Sequence, residues 1–361
     1  MDGVDAALVS FEADTFFVHA TTTTQYPAAL RAQLIAAIAP DARLTLHEFG
    51  SLHVAIGQIF AQAAREIMDT ADGKRTEIIA VGSHGQTLRH SPDSAPPYTI
   101  QLGDPATITQ ACGVATVADF RSLDIAAGGQ GAPLVPPFHE AYFRTDNSNT
   151  VVLNIGGIAN VTLLPGDRAL PLRGFDTGPG NCLLDEWIAL HRQQAFDNNG
   201  DWAQTGNIAP ALLDALMADP YISRVPPKSS GREYFNLAWL QAVLEKAGAH
   251  GLQPEDVQAT LLAYTVESIA SGIEQVTTAP ERVLVCGGGA RNGGIMAGLR
   301  ARLTGVTVDS TDAVGANPDS IEAVAFAWLA RQRMNGTPVR LTTVDAVTQR
   351  ILGAVYLPTT A

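Results

Sequence analysis

Polar and apolar residues alternate from Asp5 to Phe11 and predict a short strand, with Thr15 to Thr22 as its hairpin partner. Helical spacing follows over Tyr26 to Ala39 and over Leu52 to Met68. A β-branched run from Glu77 to Gly82 leads into Ser83-His84-Gly85-Gln86-Thr87. Val114 to Val117 predicts a strand ending in Ala118-Asp119-Phe120-Arg121. The stretch Ala126 to Pro137 is dense in Gly and Pro and reads as a crossing between lobes. The pattern then restarts with a strand hairpin at Val151 to Leu164 and a third strand before Gly174. Helices are predicted over Asn181 to Gln193, Ile208 to Ala218, Leu237 to Ala247 and Pro254 to Thr277. Strands at Arg282 to Cys286 and Val306 to Val308 and a helix over Ser320 to Met334 complete it.

Each half therefore opens with a β-hairpin and continues in strand-helix alternation, which predicts two α/β lobes with a cleft between them. The expected domains are 1–123 together with a tail from about 345 to 361, and 124–344. Open α/β sheets place ligands where strands feed turns at such a cleft. With 361 residues and 46% hydrophobic content, the chain is long enough for two cores. A net charge of −13 and no basic run argue against nucleic acid or an anionic membrane as partner. An anionic substrate must then be met by local N–H groups and a few cations. Cys112, Cys182 and Cys286 are far apart, fit no metal spacing and read as reduced thiols of a cytosolic protein. No apolar run reaches membrane-spanning length, and the acidic N-terminus is unlike a secretory signal.

The candidate chemistry sits at glycine turns. The run Asn154-Ile155-Gly156-Gly157-Ile158-Ala159-Asn160 joins two strands through bare backbone, where phosphate oxygens can approach N–H groups. An ordinary hairpin with positive φ at both glycines is the plain alternative. Gly174-Phe175-Asp176-Thr177-Gly178-Pro179-Gly180-Asn181 puts one carboxylate on a glycine-rich turn before a helix. Asn181 is the better-placed helix cap, which leaves Asp176 as a general-base candidate. Gly287, Gly288 and Gly289 follow an apolar strand and suit a nucleotide's base or sugar, or form a bare connection. No Gly-x-Gly-x-x-Gly opens a helix, which weakens a dinucleotide reading. Arg121 suits a carboxylate or phosphate, or a surface ion pair. His84 beside a buried strand suits a structural hydrogen bond or a ligand. Glu322 shares a helical face with Phe326 and Leu329, so its carboxylate is expected to meet a ligand or a neighbouring lobe.

These motifs, with Gln101-Leu102-Gly103-Asp104-Pro105 and Gly129-Gln130-Gly131-Ala132-Pro133-Leu134-Val135-Pro136, resemble the anhydro-N-acetylmuramic acid kinase family over essentially the whole chain. The resemblance implies an α/β, two-lobed, actin-like ATPase fold of ribonuclease H-like lobes. It implies ATP-dependent phosphorylation at O6 of 1,6-anhydro-N-acetylmuramic acid with hydrolytic opening of the anhydro ring, in peptidoglycan recycling. By the same likeness, Asp176 activates the water, and His84, Arg121 and Glu322 bind the sugar. Asp2, Gly3, Asp5, Asn154, Gly156, Gly157, Asn160 and Gly287 to Gly289 bind ATP. Mg²⁺ is implied without diagnostic ligands, as are a homodimer and a cytoplasmic location. The family opens with a strand ending in Gly-Thr-Ser before Asp-Gly-x-Asp, whereas this chain reads Met1-Asp2-Gly3-Val4-Asp5. The expectation is that the first strand and half of the first phosphate loop are missing. A non-catalytic ligand-binding remnant and a related amino-sugar kinase are the alternatives.

Overall fold

The computed structural model describes residues 3–12, 15–39, 41–71, 75–226, 228–276, 280–342 and 347–359; Asp2 lies outside them. Six strands come first: β1 (Gly3–Phe11), β2 (Phe16–Gln25), β3 (Ala80–Gly82), β4 (Gln86–Ser91), β5 (Tyr98–Leu102) and β6 (Ala115–Ala118). Five follow: β7 (Thr150–Ile155), β8 (Ile158–Leu164), β9 (Arg173–Pro179), β10 (Arg282–Cys286) and β11 (Thr307–Ser310). Three end the chain: β12 (Val339–Thr342), β13 (Val347–Arg350) and β14 (Ala354–Tyr356).

Contacts divide the chain into residues 1–142 with 322–361, and residues 143–321. The boundaries differ from 123/124 and 344/345 for a packing reason. Phe138 lies 5.4 Å from Phe16 of β2 and 6.1 Å from Trp328, ring centre to ring centre. Phe326 meets Phe120 at 5.4 Å. These aromatic contacts draw all but the boundary residues Phe143 and Ile321 of the helices Pro136–Phe143 and Ile321–Met334 into the first unit. The Gly/Pro-dense stretch from 126 to 137, expected as a crossing, also falls within it.

In the first unit β1 and β2 pair antiparallel, with a bulge between Leu8 and Val9. β6 lies between parallel β3 and antiparallel β14. β4 and β5 form a hairpin that the alternation did not reveal. The helix Leu46–Met68 starts six residues before its expected first residue, Leu52. A capping box sets that start: Glu48 N–H donates to Thr45 Oγ1 at 3.2 Å, and Thr45 N–H donates to Glu48 Oε2 at 2.7 Å. Leu34, Ile56 and Leu102 fill the core beneath that helix.

The second unit holds one sheet in the order β11-β10-β7-β8-β9. β7, β8 and β9 form an antiparallel meander, and β10 and β11 run parallel to β7 on its other side. This is the ribonuclease H-like order. The helix Pro254–Glu274 buries Leu261, Tyr264 and Ile269 in the core of this sheet. Nearly complete burial of side chains this size contributes about 1.5–3 kcal/mol each.

One expectation changes here. Asp176 is not on a turn after the third strand; it lies within β9. Phe175 and Thr177 are buried on either side of it, and β8 supplies backbone partners as far as Pro179. The glycines that read as turn signals hide that alternation. Gly178 has φ +157°, and a Cβ there would lie 3.2 Å from Ser268 Oγ. No helix among the described residues is long and apolar enough to cross a membrane. All three cysteines are buried, and none forms a disulfide.

Candidate active site

Strand register assembles the polar centre of the second unit. Asn154 on β7 pairs with Asn160 on β8, which pairs with Asp176 on β9. Their sequence neighbours Leu153, Ile155, Ala159, Val161, Phe175 and Thr177 are buried. Alternation therefore sets Asn154, Asn160 and Asp176 in one row on the opposite side, each partly exposed.

Asp176 is held from behind. Its N–H donates to the Lys228 carbonyl at 3.1 Å, and its carbonyl accepts from the Tyr221 hydroxyl at 2.8 Å. Ser230 N–H donates to Oδ2 at 3.0 Å, while Oδ1 accepts nothing among the described residues. Burial pushes the carboxyl up to about 6, the Ser230 bond opposes this, and the charge of Glu233 adds to it. A carboxylate fixed through one oxygen, with the other available and a pKa near neutrality, is suited to taking a proton.

The Gly156–Gly157 turn joins the strands that carry Asn154 and Asn160. Its carbonyls are turned toward the next helix: Gly157 O accepts from Gly180 N and Cys182 N, and Gly156 O accepts from Asn181 N, at 2.8–3.1 Å. The amides of Gly156 and Gly157 find no acceptor among the described residues. Neither glycine has φ in the left-handed region, so the plain hairpin reason for two glycines does not apply. Close approach does: a Cβ on Gly157 would sit 2.7 Å from Arg232 Nε, and one on Gly180 would sit 2.4 Å from Gly156 O. Asn181, the expected cap of the helix Cys182–Arg192, makes no capping bond. Its Nδ2 donates instead to Ile155 O at 3.2 Å, and the turn's carbonyls satisfy the helix start.

The three later glycines differ from one another. Gly287 has φ +77° and would place a Cβ 2.3 Å from Asn154 Oδ1. Gly289 packs on Ile155. Gly288 is exposed, and a Cβ on it would meet nothing nearer than Asn181 Nδ2 at 3.9 Å.

In the first unit, Arg121 Nε donates to His84 Nε2 at 2.9 Å and its Nη1 donates to Gly131 O at 2.7 Å. The His84 ring lies 4.5 Å from Phe326. Burial and then Arg121 hold the imidazole down at about 3. His84 is therefore neutral, and because Nε2 accepts, its proton sits on Nδ1. Burial lowers Arg121 to about 10, opposed by Glu322. The Glu322 carboxyl is raised by burial and by Asp5, against Arg121. Protein crowds Glu322, yet it keeps solvent-accessible surface, and that accessibility is what a ligand needs. Asp5 on β1 accepts from Thr23 Oγ1 at 2.6 Å, and Gly3 faces Thr24 O.

The family model for anhydro-N-acetylmuramic acid kinase matches residues 1–358. The chain belongs to this family. The namesake kinase of Xanthomonas oryzae pv. oryzae (strain MAFF 311018) is 45% identical over 359 residues, covering 98% of this chain and 94% of its own. That of Coxiella burnetii (strain Dugway 5J108-111) is 42% identical over 357 residues, covering 99% and 94%. Among solved structures, a ROK family glucokinase from Streptomyces griseus in complex with glucose and AMPPNP matches 91% of this chain and 100% of its own. It does so at 13% identity with a TM-score of 0.38. Family membership makes this protein a kinase of anhydro-N-acetylmuramic acid.

Sequence reasoning missed the segment that holds Asp176. Lys228 O and Ser230 N–H bond to Asp176, Arg232 lies beside Gly157, and the charge of Glu233 is felt at Asp176. The available signal was a Lys-Ser-Ser-Gly-Arg-Glu run in a chain poor in cations. Lys228 is buried, donating to the carbonyls of Tyr221 and Ile222 at 3.2 and 3.0 Å, with its ammonium 5.0 Å from the Tyr221 ring. Ser230 Oγ is buried with no partner among the described residues.

Proposed function

We propose that this kinase uses ATP to phosphorylate O6 of 1,6-anhydro-N-acetylmuramic acid while water opens the anhydro ring. The Asp176 carboxylate carries the reading: one oxygen is anchored by Ser230 N–H, the other is available, and the pKa lies near 6. Oδ1 accepts the proton of a water that attacks the anomeric carbon. The bond from that carbon to O6 breaks, and O6 takes the γ-phosphoryl group, giving N-acetylmuramic acid 6-phosphate and ADP. The unsatisfied amides of Gly156 and Gly157 receive phosphate oxygens beside Asn154 and Asn160. Exposed Gly288 offers backbone to the nucleoside, while Gly287 and Gly289 shape that connection. Gly3 and Asp5 belong to the nucleotide set as well. Arg121 donates to the sugar, oriented by neutral His84, and the accessible Glu322 accepts from it.

No group of three or more His, Cys, Asp or Glu able to hold a metal occurs among the described residues. Mg²⁺ would arrive with the nucleotide rather than on a cluster of protein carboxylates. Bound so, Mg²⁺ neutralises phosphate charge. A cytoplasmic role in peptidoglycan recycling and a homodimeric state complete the proposal, by family resemblance. The test is incubation with ATP, Mg²⁺ and the anhydro sugar, with mass spectrometry of the products in ¹⁸O-labelled water. One ¹⁸O at the anomeric hydroxyl is expected. Product without the label would refute the water step, and no product would refute the activity.

A further inference from the structure

Arg232 has no part in the scheme so far. It is exposed, and its guanidinium makes no hydrogen bond or ion pair among the described residues. A solvated arginine would extend into water. This one lies beside Gly157 of the turn, with Nε and Nη2 at 2.7 and 2.9 Å from where a Gly157 Cβ would stand. That position is two residues from Ser230, whose N–H anchors the Asp176 carboxylate.

The turn explains what an arginine could do there. Its carbonyls are consumed by the helix start, so the turn presents amide hydrogens with no acceptor. Adding an unpaired guanidinium sets three donor groups together with no carbonyl oxygen of the turn free to oppose them. A cation with planar, forked donors matches an anion whose oxygens lie in a plane, as those of a phosphoryl group do in transfer. Glu233, the next residue, makes no ion pair with it among the described residues. Its carboxylate folds back to within 2.1 Å of where a Gly231 Cβ would stand.

We propose that Arg232 is a catalytic residue that binds the transferred γ-phosphoryl group against the Gly156–Gly157 amides, stabilising the charge that develops during transfer. The segment 228–233 would thus supply both the anchor of the general base and the phosphoryl cation. The inference rests on the reading of Asp176 and the glycine turn given above. The muramic acid carboxylate is the other anion in the reaction, and the experiment separates the two.

Arg232→Ala, Arg232→Lys and Gly157→Ala are compared with the parent enzyme, after circular dichroism and melting show each to be folded. Arg232→Ala is expected to lower kcat by roughly 10²–10³-fold. Arg232→Lys should recover little of this, because a point charge lacks the fork, whereas added guanidinium ion should restore part of the Arg232→Ala rate. Gly157→Ala keeps the cation but displaces it, so kcat should fall in the same direction. By calorimetry, Arg232→Ala should weaken a non-hydrolysable ATP analogue at least tenfold while ADP affinity changes less than threefold. A kcat within threefold of the parent would overturn the proposal, as would equal loss of both nucleotides. So would a defect confined to the sugar KM and absent with a carboxyl-free anhydro sugar, which would assign Arg232 to the carboxylate. Asp176→Asn is assayed in parallel. If it stays active, the reading of the site itself fails; if it is dead and Arg232→Ala is not, only this inference fails.

Discussion

At the scale of single residues, Asp176 sets stability against activity. Its carboxyl is raised from 3.8 to about 6, chiefly by burial. The unfolded chain ionises more readily, so folding is favoured most below pH 4 and loses this contribution as pH rises toward and through 6. Holding the ionised form near neutrality costs the folded state about 3 kcal/mol. Asp176→Asn keeps an acceptor for Ser230 N–H but cannot take a proton. Turnover should fall by roughly 10²–10⁴-fold, and the melting temperature at pH 8 should rise. A variant that is both inactive and less stable would contradict this account. In the parent enzyme, the acidic limb of kcat against pH should turn near 6. His84, held near 3, contributes nothing to that limb, so His84→Gln should leave its midpoint in place. The sequence named Asp176 and His84 but not their states, because both depend on burial and on partners distant in sequence. Ser230 lies 54 residues from Asp176, and Arg121 lies 37 from His84.

At the scale of elements, glycines and loops do work that their composition only hints at. Gly180 and Gly288 read alike in the sequence and differ in space. A methyl group on Gly180 would press on Gly156 O at 2.4 Å, whereas one on Gly288 has 3.9 Å of room. Gly180→Ala should therefore lower both melting temperature and turnover. Gly288→Ala should keep the melting temperature and change only nucleotide KM; the reverse pattern would exchange their assigned roles. A second element-level device orders Arg121. Asp124 is buried, accepting from Gly131 N at 2.8 Å and from Arg350 Nε on β13 at 2.9 Å. Gly131 O in turn accepts from Arg121. Asp124→Ala leaves the half-buried Arg350 with only the Ala127 carbonyl as acceptor, a loss of about 1–3 kcal/mol. It should also raise the sugar KM; an unchanged KM in a folded variant would show that the loop holds Arg121 without it. Continuous apolar runs and helical runs were legible in the sequence, as β10 and the helix Leu237–Lys246 show. Short strands such as β14, and β9 with its glycines, were not, since their pairing is decided by a partner strand.

At the scale of the whole chain, the two units differ in continuity. Residues 143–321 are one uninterrupted segment with one large core cluster. The first unit needs residues 322–361 as well, including the helix that carries Glu322 and the Phe326 ring packed on Phe120. A fragment 143–321 should fold alone with a cooperative melt, and a fragment 1–142 should not. A cooperative melt of 1–142 would show that the returning helix is dispensable to its core. The contact division therefore implies an order during synthesis. As the chain leaves the ribosome, residues 1–142 emerge first but lack a helix and a strand that their packing requires. The segment bearing Asp176 has all its own partners once residue 321 is out. The unit that begins last should thus be finished first, while the one that begins first waits, with apolar surface uncovered, for residues 322–361.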